Sequence, residues 1–286
     1  MTYYPSLYLI YNLDHPVILY TFQMSLVKLM KYNPKLLPDR IAFIADAHLG
    51  MPGDNPARAE TVAGFLRWLK GRVSHLYIVG DLFDFWFEYK SVVPNTAPHV
   101  VFELYNLVQS GIAVTLFAGN HDYWLGPFIR DNVGINIVYD DIVVEHQGRR
   151  IYIHHGDGLY PDDYGYRILK KILRNRISIF LFRLLHPDFA RILAHITSKT
   201  SRKYLTPPDG NAERNTQLFR EIADKRLSEG YDAVVYGHSH VQLSEERSRG
   251  TLLLLGDWIK HNTYVILENG TFTLNSWSTG MEKENG

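Results

Sequence analysis

Five short polar stretches carry residue types that bind divalent cations, and each closes an apolar run. Residues 41–45 run into Asp46-Ala47-His48, and residues 76–79 into Gly80-Asp81-Leu82-Phe83-Asp84. Residues 113–118 run into Gly119-Asn120-His121-Asp122, and residues 150–153 into His154-His155-Gly156-Asp157. Residues 233–236 run into Gly237-His238-Ser239-His240. A single histidine at a strand end is usually structural, and a single aspartate usually belongs to a turn or cap. Here six of the thirteen histidines fall in four such stretches, and that concentration outweighs the bland reading of each one. Carboxylates mixed with imidazoles suit divalent Mn, Fe, Co, Ni or Zn better than Ca. The chain has no cysteine, so a metal site must be built from His, Asn and carboxylate donors. Two ions held about 3.5–4 Å apart need a shared ligand. A carboxylate has two oxygens and a full charge to share, and Asp81, directly after a strand and a glycine, is the best placed. His238-Ser239-His240 alternates in a way that sends two imidazoles into one pocket.

These stretches need a frame. Short apolar runs closed by turn residues predict buried strands. Between the first two lies a helix over residues 57–72, with Val62, Phe65, Leu66 and Leu69 at helical spacing. A second helix, 98–110, carries Val101, Leu104, Tyr105 and Val108 on one side, with Gly111 as its stop. Strand–helix–strand order implies parallel pairing with right-handed crossovers. In such sheets ligands sit outside the carboxyl ends of the strands, where all five stretches fall. Shorter strands are expected over 135–139, 142–145 and 150–153, the last two joined by a turn at residues 146–149. A helix is expected over 211–229. The runs 251–255, 263–267 and 271–274 read as an antiparallel end of the sheet system.

Composition narrows the function classes. The 286 residues have a formal net charge of zero, so no whole-chain charge favours nucleic acid as a partner. Apolar content of 46% suits a globular chain, and no stretch is apolar enough to span a membrane. Absence of cysteine suits a reducing compartment. Residues 1–37 read as an N-terminal extension, either poorly ordered or the product of a start assigned too far upstream. The segment 164–205 is different in kind. Ten lysines and arginines face one acid, Asp188, with Ile177, Ile179, Phe180, Leu181, Phe182 and Leu184 among them. A solvated helical hairpin is one reading; a surface that meets anionic lipid or covers an acyl chain beside a phosphate is the other.

The five motifs, in this order over about two hundred residues, resemble those of the calcineurin-like metallophosphoesterases. The resemblance implies an α/β fold, a four-layer αββα sandwich of two mixed sheets, spanning 38–286 with a helical lid insertion over 164–208. It implies two divalent metal ions, manganese first among them. One ion would take Asp46, His48, Asp81 and His240, and the other Asp81, Asn120, His155 and His238. His121 would protonate the leaving oxygen, with Asp84 orienting its ring, and His154 would point to the opposite face of its strand. The implied reaction is in-line attack of a metal-bridging hydroxide on phosphorus.

Within that superfamily the chain most resembles the UDP-2,3-diacylglucosamine pyrophosphatases of lipid A synthesis. The residues that carry this are Gly80-Asp81-Leu82-Phe83-Asp84-Phe85-Trp86 and His155-Gly156-Asp157-Gly158-Leu159-Tyr160-Pro161-Asp162-Asp163-Tyr164-Gly165-Tyr166, followed by the basic helical insertion. The best-known branch has Arg where this chain has His121. The resemblance implies a lipid-linked nucleotide sugar substrate, met by Asn120, His121, Asp163, Tyr166, Ser198 and His238. It also implies a cytoplasmic enzyme peripheral on the inner face of the inner membrane, held to that anionic surface by the basic segment. Two rivals are a phosphoesterase for another nucleotide diphosphate or phosphodiester, and a non-catalytic scaffold on the same fold. The scaffold reading predicts missing ligands, and none is missing.

Overall fold

Alternate residues of one strand belong to different cores, which is why the strands read as unbroken apolar runs. In β1 (Arg40–Ile44), Ala42 and Ile44 join a cluster with Phe65, Leu66 and Leu104, whereas Ile41 and Phe43 join another with Ile151, Ile153 and Val235. The computed structural model describes residues 37–159, 164–194, 196 and 212–278. All fall in one compact unit, Leu36–Gly286. The extension expected over 1–37 lies outside the described residues except for Leu37.

One sheet has six strands in the order β11-β10-β1-β2-β3-β4. It comprises β1, β2 (His75–Ile78), β3 (Ala113–Phe117), β4 (Asn136–Val138), β10 (Thr263–Glu268) and β11 (Thr271–Ser276). The other has five, in the order β5-β6-β7-β9-β8. These are β5 (Ile142–His146), β6 (Arg149–His154), β7 (Ala233–Tyr236), β8 (Gln242–Arg247) and β9 (Gly250–Leu255). Strands β1, β2, β3 and β4 run parallel, as do β6, β7 and β9.

Three apolar clusters fill the three gaps of a four-layer sandwich. Helices α1 (Pro56–Leu69) and α2 (Pro98–Gln109) cover the six-stranded sheet through Val62, Phe65, Leu66, Leu69, Val100, Leu104 and Leu107. The second cluster lies between the sheets. The third packs Phe219, Ala223 and Leu227 of α5 (Ala212–Ser228) on Tyr152, Val234, Tyr236 and Leu252. The lid insertion begins with α3 (Tyr164–Leu173) and α4 (Arg176–Arg183), and residues 187–194 are helical as well.

Three expectations change. The α2 face that is buried is Val100, Leu104 and Leu107, a rotation that leaves Tyr105 41% exposed. The helix carries apolar residues at both candidate stripes, and the one chosen keeps the tyrosine hydroxyl near water. Strand β8, not expected, has the alternating pattern of an edge strand, polar on its outer face. The run 251–255 does not join 263–267 and 271–274, which lie in the other sheet. It is an inner strand of the second sheet, antiparallel to the edge strand β8 and parallel to β7, so its carboxyl end joins the others.

Candidate metal centre

Each strand-end loop is tied to a neighbour by backbone groups before any side chain acts. Asp46 N–H donates to Gly80 O (3.1 Å) and His48 N–H to Asp81 O (2.9 Å), lacing the loops after β1 and β2. The buried Asp122 adds the loop after β3: Oδ1 accepts from Gly119 N (2.9 Å) and Oδ2 from Phe83 N (3.2 Å). Among the bonds that join the sheets are His238 N–H to Asp46 Oδ2 (2.8 Å), His155 Nδ1–H to Val79 O (2.8 Å) and Trp258 N–H to Asp46 O (3.1 Å). Asp46, His48, Asp81, His238 and His240 all have φ between 44° and 61°, a left-handed region that costs non-glycine residues about 1 kcal/mol or more each. Such strain concentrates at sites whose side chains must be aimed.

The side chains form overlapping groups with ligand atoms within 4.8 Å of one another: Asp46-His48-His240, His48-Asp81-His121 and Asp81-His155-His238. Asp81 is common to the last two. Its Oδ2 lies 3.7 Å from His48 Nε2 and 3.4 Å from His155 Nε2. Asn120 Oδ1 is 3.1 Å from His155 Nε2. His240 Nε2 is 3.3 Å from His48 Nε2 and 3.6 Å from Asp46 Oδ1. The seven residues expected to hold metal are therefore brought together. His121 sits beside them, its Nδ1 3.2 Å from the Asp84 carbonyl oxygen and 3.3 Å from Asp84 Oδ1. The same Oδ1 is 3.5 Å from His48 Nδ1, so Asp84 stands between two rings. His154 turns to the outer face, where its Nδ1 accepts from Gly156 N (2.8 Å) and its ring meets Tyr236.

The donor set fits cations on its own chemistry. Burial works against charge on His48, yet Asp46, Asp84 and Asp81 outweigh it and push the imidazole up to about 10. Burial likewise works against charge on His155, and Asp81 overrides it, again to about 10. Asp81 is held well below the carboxylate range by His155 and His121 despite its own burial. His238 is pushed down to about 4, chiefly by burial. The pocket thus draws positive charge to its two carboxylate-rich ends. Asp46 Oδ1 is buried with no hydrogen-bond partner, an unsatisfied acceptor that a cation would meet.

A cleft opens from this centre toward the lid. Asn120 and His121 line one side, Tyr166, Lys170 and Arg174 the other. The buried Asp157 is ion-paired with Lys170 (2.6 Å) and Arg174 (3.4 Å) and accepts from Tyr166 Oη (2.7 Å). Phe182 of α4 is seated among Phe85, Phe87 and Trp124, with ring centroids 6.1, 4.8 and 5.1 Å away, and Trp124 Nε1–H donates to Leu173 O. Tyr166 lies at the cleft, and Asp163 and Ser198 lie outside the described residues. Sequence reasoning gave no role to Asp157, Asp257 or Glu88. Glu88 is a buried carboxylate that accepts from Trp86 Nε1 and from the N–H groups of Gly126, Phe128 and Ile129. Asp257 follows Gly256 at the end of β9, the same signal as the other five, hidden by the mistaken strand direction.

A family model described as calcineurin-like phosphoesterase matches residues 39–242, and the chain belongs to that family of metal-dependent hydrolases. Over most of its length it is similar to proteins named UDP-2,3-diacylglucosamine hydrolase. That of Porphyromonas gingivalis is 28% identical over 254 residues, 83% of this chain and 97% of that one. That of Neisseria meningitidis serogroup B (strain MC58) is 31% identical over 233 residues, 78% and 90% of the two chains.

Proposed function

We propose that this chain hydrolyses the diphosphate of UDP-2,3-diacylglucosamine, giving UMP and 2,3-diacylglucosamine 1-phosphate. Asp46, His48, Asp81 and His240 would hold one divalent ion, manganese in the first place, and Asp81, Asn120, His155 and His238 a second. Bound there, such ions lower the pKa of water and neutralise phosphoryl oxygens. The protein's own part is placement and one proton. With Nδ1 facing the two Asp84 oxygens, His121 has Nε2 available to give a proton to the leaving oxygen. Lys170 and Arg174 carry charge suited to the diphosphate, and Asp157 holds both at the cleft wall.

The observation that carries this reading is that cleft, in which the phosphoesterase histidine faces the cations of an apolar lid. The lid leaves Ile168, Ile172, Ile177, Phe180 and Leu184 more than half exposed, an apolar surface available to acyl chains or lipid. Among the described residues no helix is long and apolar enough to cross a membrane. A peripheral position on the anionic cytoplasmic face of the inner membrane accords with the lid's basic residues. The test is release of UMP from UDP-2,3-diacylglucosamine by purified protein with Mn, with soluble phosphodiesters alongside. Turnover of the soluble esters with none of the lipid nucleotide would favour the broader phosphoesterase reading.

A further inference from the structure

Three imidazoles of the centre have an acceptor behind the ring. His155 Nδ1 is 2.8 Å from Val79 O, His48 Nδ1 3.5 Å from Asp84 Oδ1, and His240 Nδ1 3.6 Å from Asp257 Oδ2. Packing holds the first two, whose side chains are 3% and 4% exposed, but the His240 side chain is 38% exposed. Something other than packing must fix its ring.

Asp257 is buried, and its two oxygens have separate tasks. Oδ1 accepts from the backbone N–H groups of Ile259 (2.8 Å), Lys260 (2.7 Å) and His261 (3.3 Å), closing the turn after β9. Oδ2 accepts from His261 Nδ1 (3.0 Å) and faces His240 Nδ1, slightly beyond hydrogen-bond length. The next residue, Trp258, donates its N–H to Asp46 O (3.1 Å), so this strand end is tied to another residue of the same group.

We propose that Asp257 is the positioning residue for His240. Its Oδ2 keeps the ring proton on Nδ1, so that Nε2, the nitrogen nearest Asp46 and His48, presents its lone pair to a cation. This rests on reading the centre as a metal site, and not on the identity of the substrate.

The division of oxygens supplies a selective substitution. In Asp257→Asn the carbonyl oxygen can keep the three backbone donors, and the amide nitrogen then replaces Oδ2. A donor opposite His240 Nδ1 drives the ring proton to Nε2, where it blocks a cation. The experiment titrates EDTA-stripped protein with Mn and follows free Mn by electron paramagnetic resonance. Wild type is expected to bind two ions per chain. Asp257→Asn is expected to weaken one of them about 10- to 100-fold, the usual scale for losing such a partner. Its metal-free melting midpoint should stay at the wild-type value. Added to His240→Ala, the substitution should cost nothing further, because the ring it acts through is gone.

Unchanged affinity for both ions in Asp257→Asn overturns the proposal. So does a loss that adds fully to that of His240→Ala, which would mark a general structural effect. Should Asp257→Asn not fold, His261→Leu is an independent arm, since it removes the competing donor from Oδ2 and leaves the backbone intact. It is expected to bind Mn at least as tightly as wild type; weakening on the scale expected of Asp257→Asn overturns the proposal. Wild type that binds fewer than two ions overturns the metal-site reading itself.

Discussion

His155 Nδ1 donates to the carbonyl oxygen of Val79 at 2.8 Å, joining the end of β6 in one sheet to the end of β2 in the other. The bond leaves His155 Nε2 to Asp81 Oδ2 and Asn120 Oδ1, 3.4 and 3.1 Å away. The centre is therefore built across the gap between the sheets, and its geometry depends on how closely their backbones approach.

Close approach explains two glycines of the motifs, Gly80 across the gap between the sheets and Gly119 within the six-stranded sheet. A Cβ on Gly80 would lie 2.3 Å from His155 Nδ1, and one on Gly119 would lie 2.1 Å from Asp81 Oδ1. Gly119→Ala must push the Asp81 carboxylate aside. We expect bound Mn to fall below two per chain and kcat/KM to drop at least about 100-fold, since a misplacement of ~1 Å at a catalytic group has that effect. Metal analysis with circular dichroism as a folding control checks it; two ions and full activity would contradict it.

His121 faces Asp84 and lines the cleft. His121→Gln should lower kcat about 10²- to 10⁴-fold, the range for losing a general acid, with Mn stoichiometry retained. A p-nitrophenyl ester, whose leaving group needs no proton, should lose far less. Equal losses on both substrates, or unchanged turnover, would remove His121 from the proton step.

Phe182 fastens α4 to the body through Phe85, Phe87 and Trp124. In Phe182→Ala the lid loses an anchor worth roughly 1–2 kcal/mol, less than the 3–5 kcal/mol of a fully buried ring. That converts to a rise of about tenfold in KM for the lipid nucleotide. Hydrolysis of a small soluble diester should stay within about twofold, because the metal centre is untouched. A parallel loss on both substrates would show that the lid is part of the centre and not a cover for acyl chains.

At the other end of the strands, His75 stacks on Tyr77 with ring centroids 4.0 Å apart and bonds Thr115 Oγ1 (3.0 Å), while Tyr77 Oη meets His146 Nε2 (2.7 Å). Burial, helped by His146, pushes His75 down to about 4. The fold accommodates the neutral ring, so its stability is whole above the unfolded value near 6.5 and is lost as pH falls toward 4. His154 acts in the same direction, pushed down to about 4. Urea midpoints measured from pH 7 to pH 4.5 should fall, and His75→Gln should make the slope shallower without abolishing it. An identical slope in the variant would contradict the assignment.

The ligand set was legible because each polar group stands directly after a doubly buried strand, where a charged residue has no packing reason to be. Parallel order followed from the intervening helices, and both together placed Asp46, Asp81, Asn120, His155 and His238 at one edge. Asp257 was hidden because residues 251–255 follow the hairpin partner β8, and local alternation gave no sign that β9 also lies parallel to β7. Glu88 and Asp122 carry no sequence signal of their roles. Apart from Trp86 Nε1, their partners are backbone N–H groups, most of them supplied by segments some forty residues away, and any residue type provides those. The seat of Phe182 was equally invisible, since its partners come from two other loops.

The central claim is that Asp81 is shared by two cations. Crystals grown with Mn and measured at its absorption edge test it most directly. Two anomalous peaks are expected, one on each side of the Asp81 carboxylate, the first among Asp46, His48 and His240 and the second among Asn120, His155 and His238. A single peak, or two peaks with Asp81 touching only one, would contradict it.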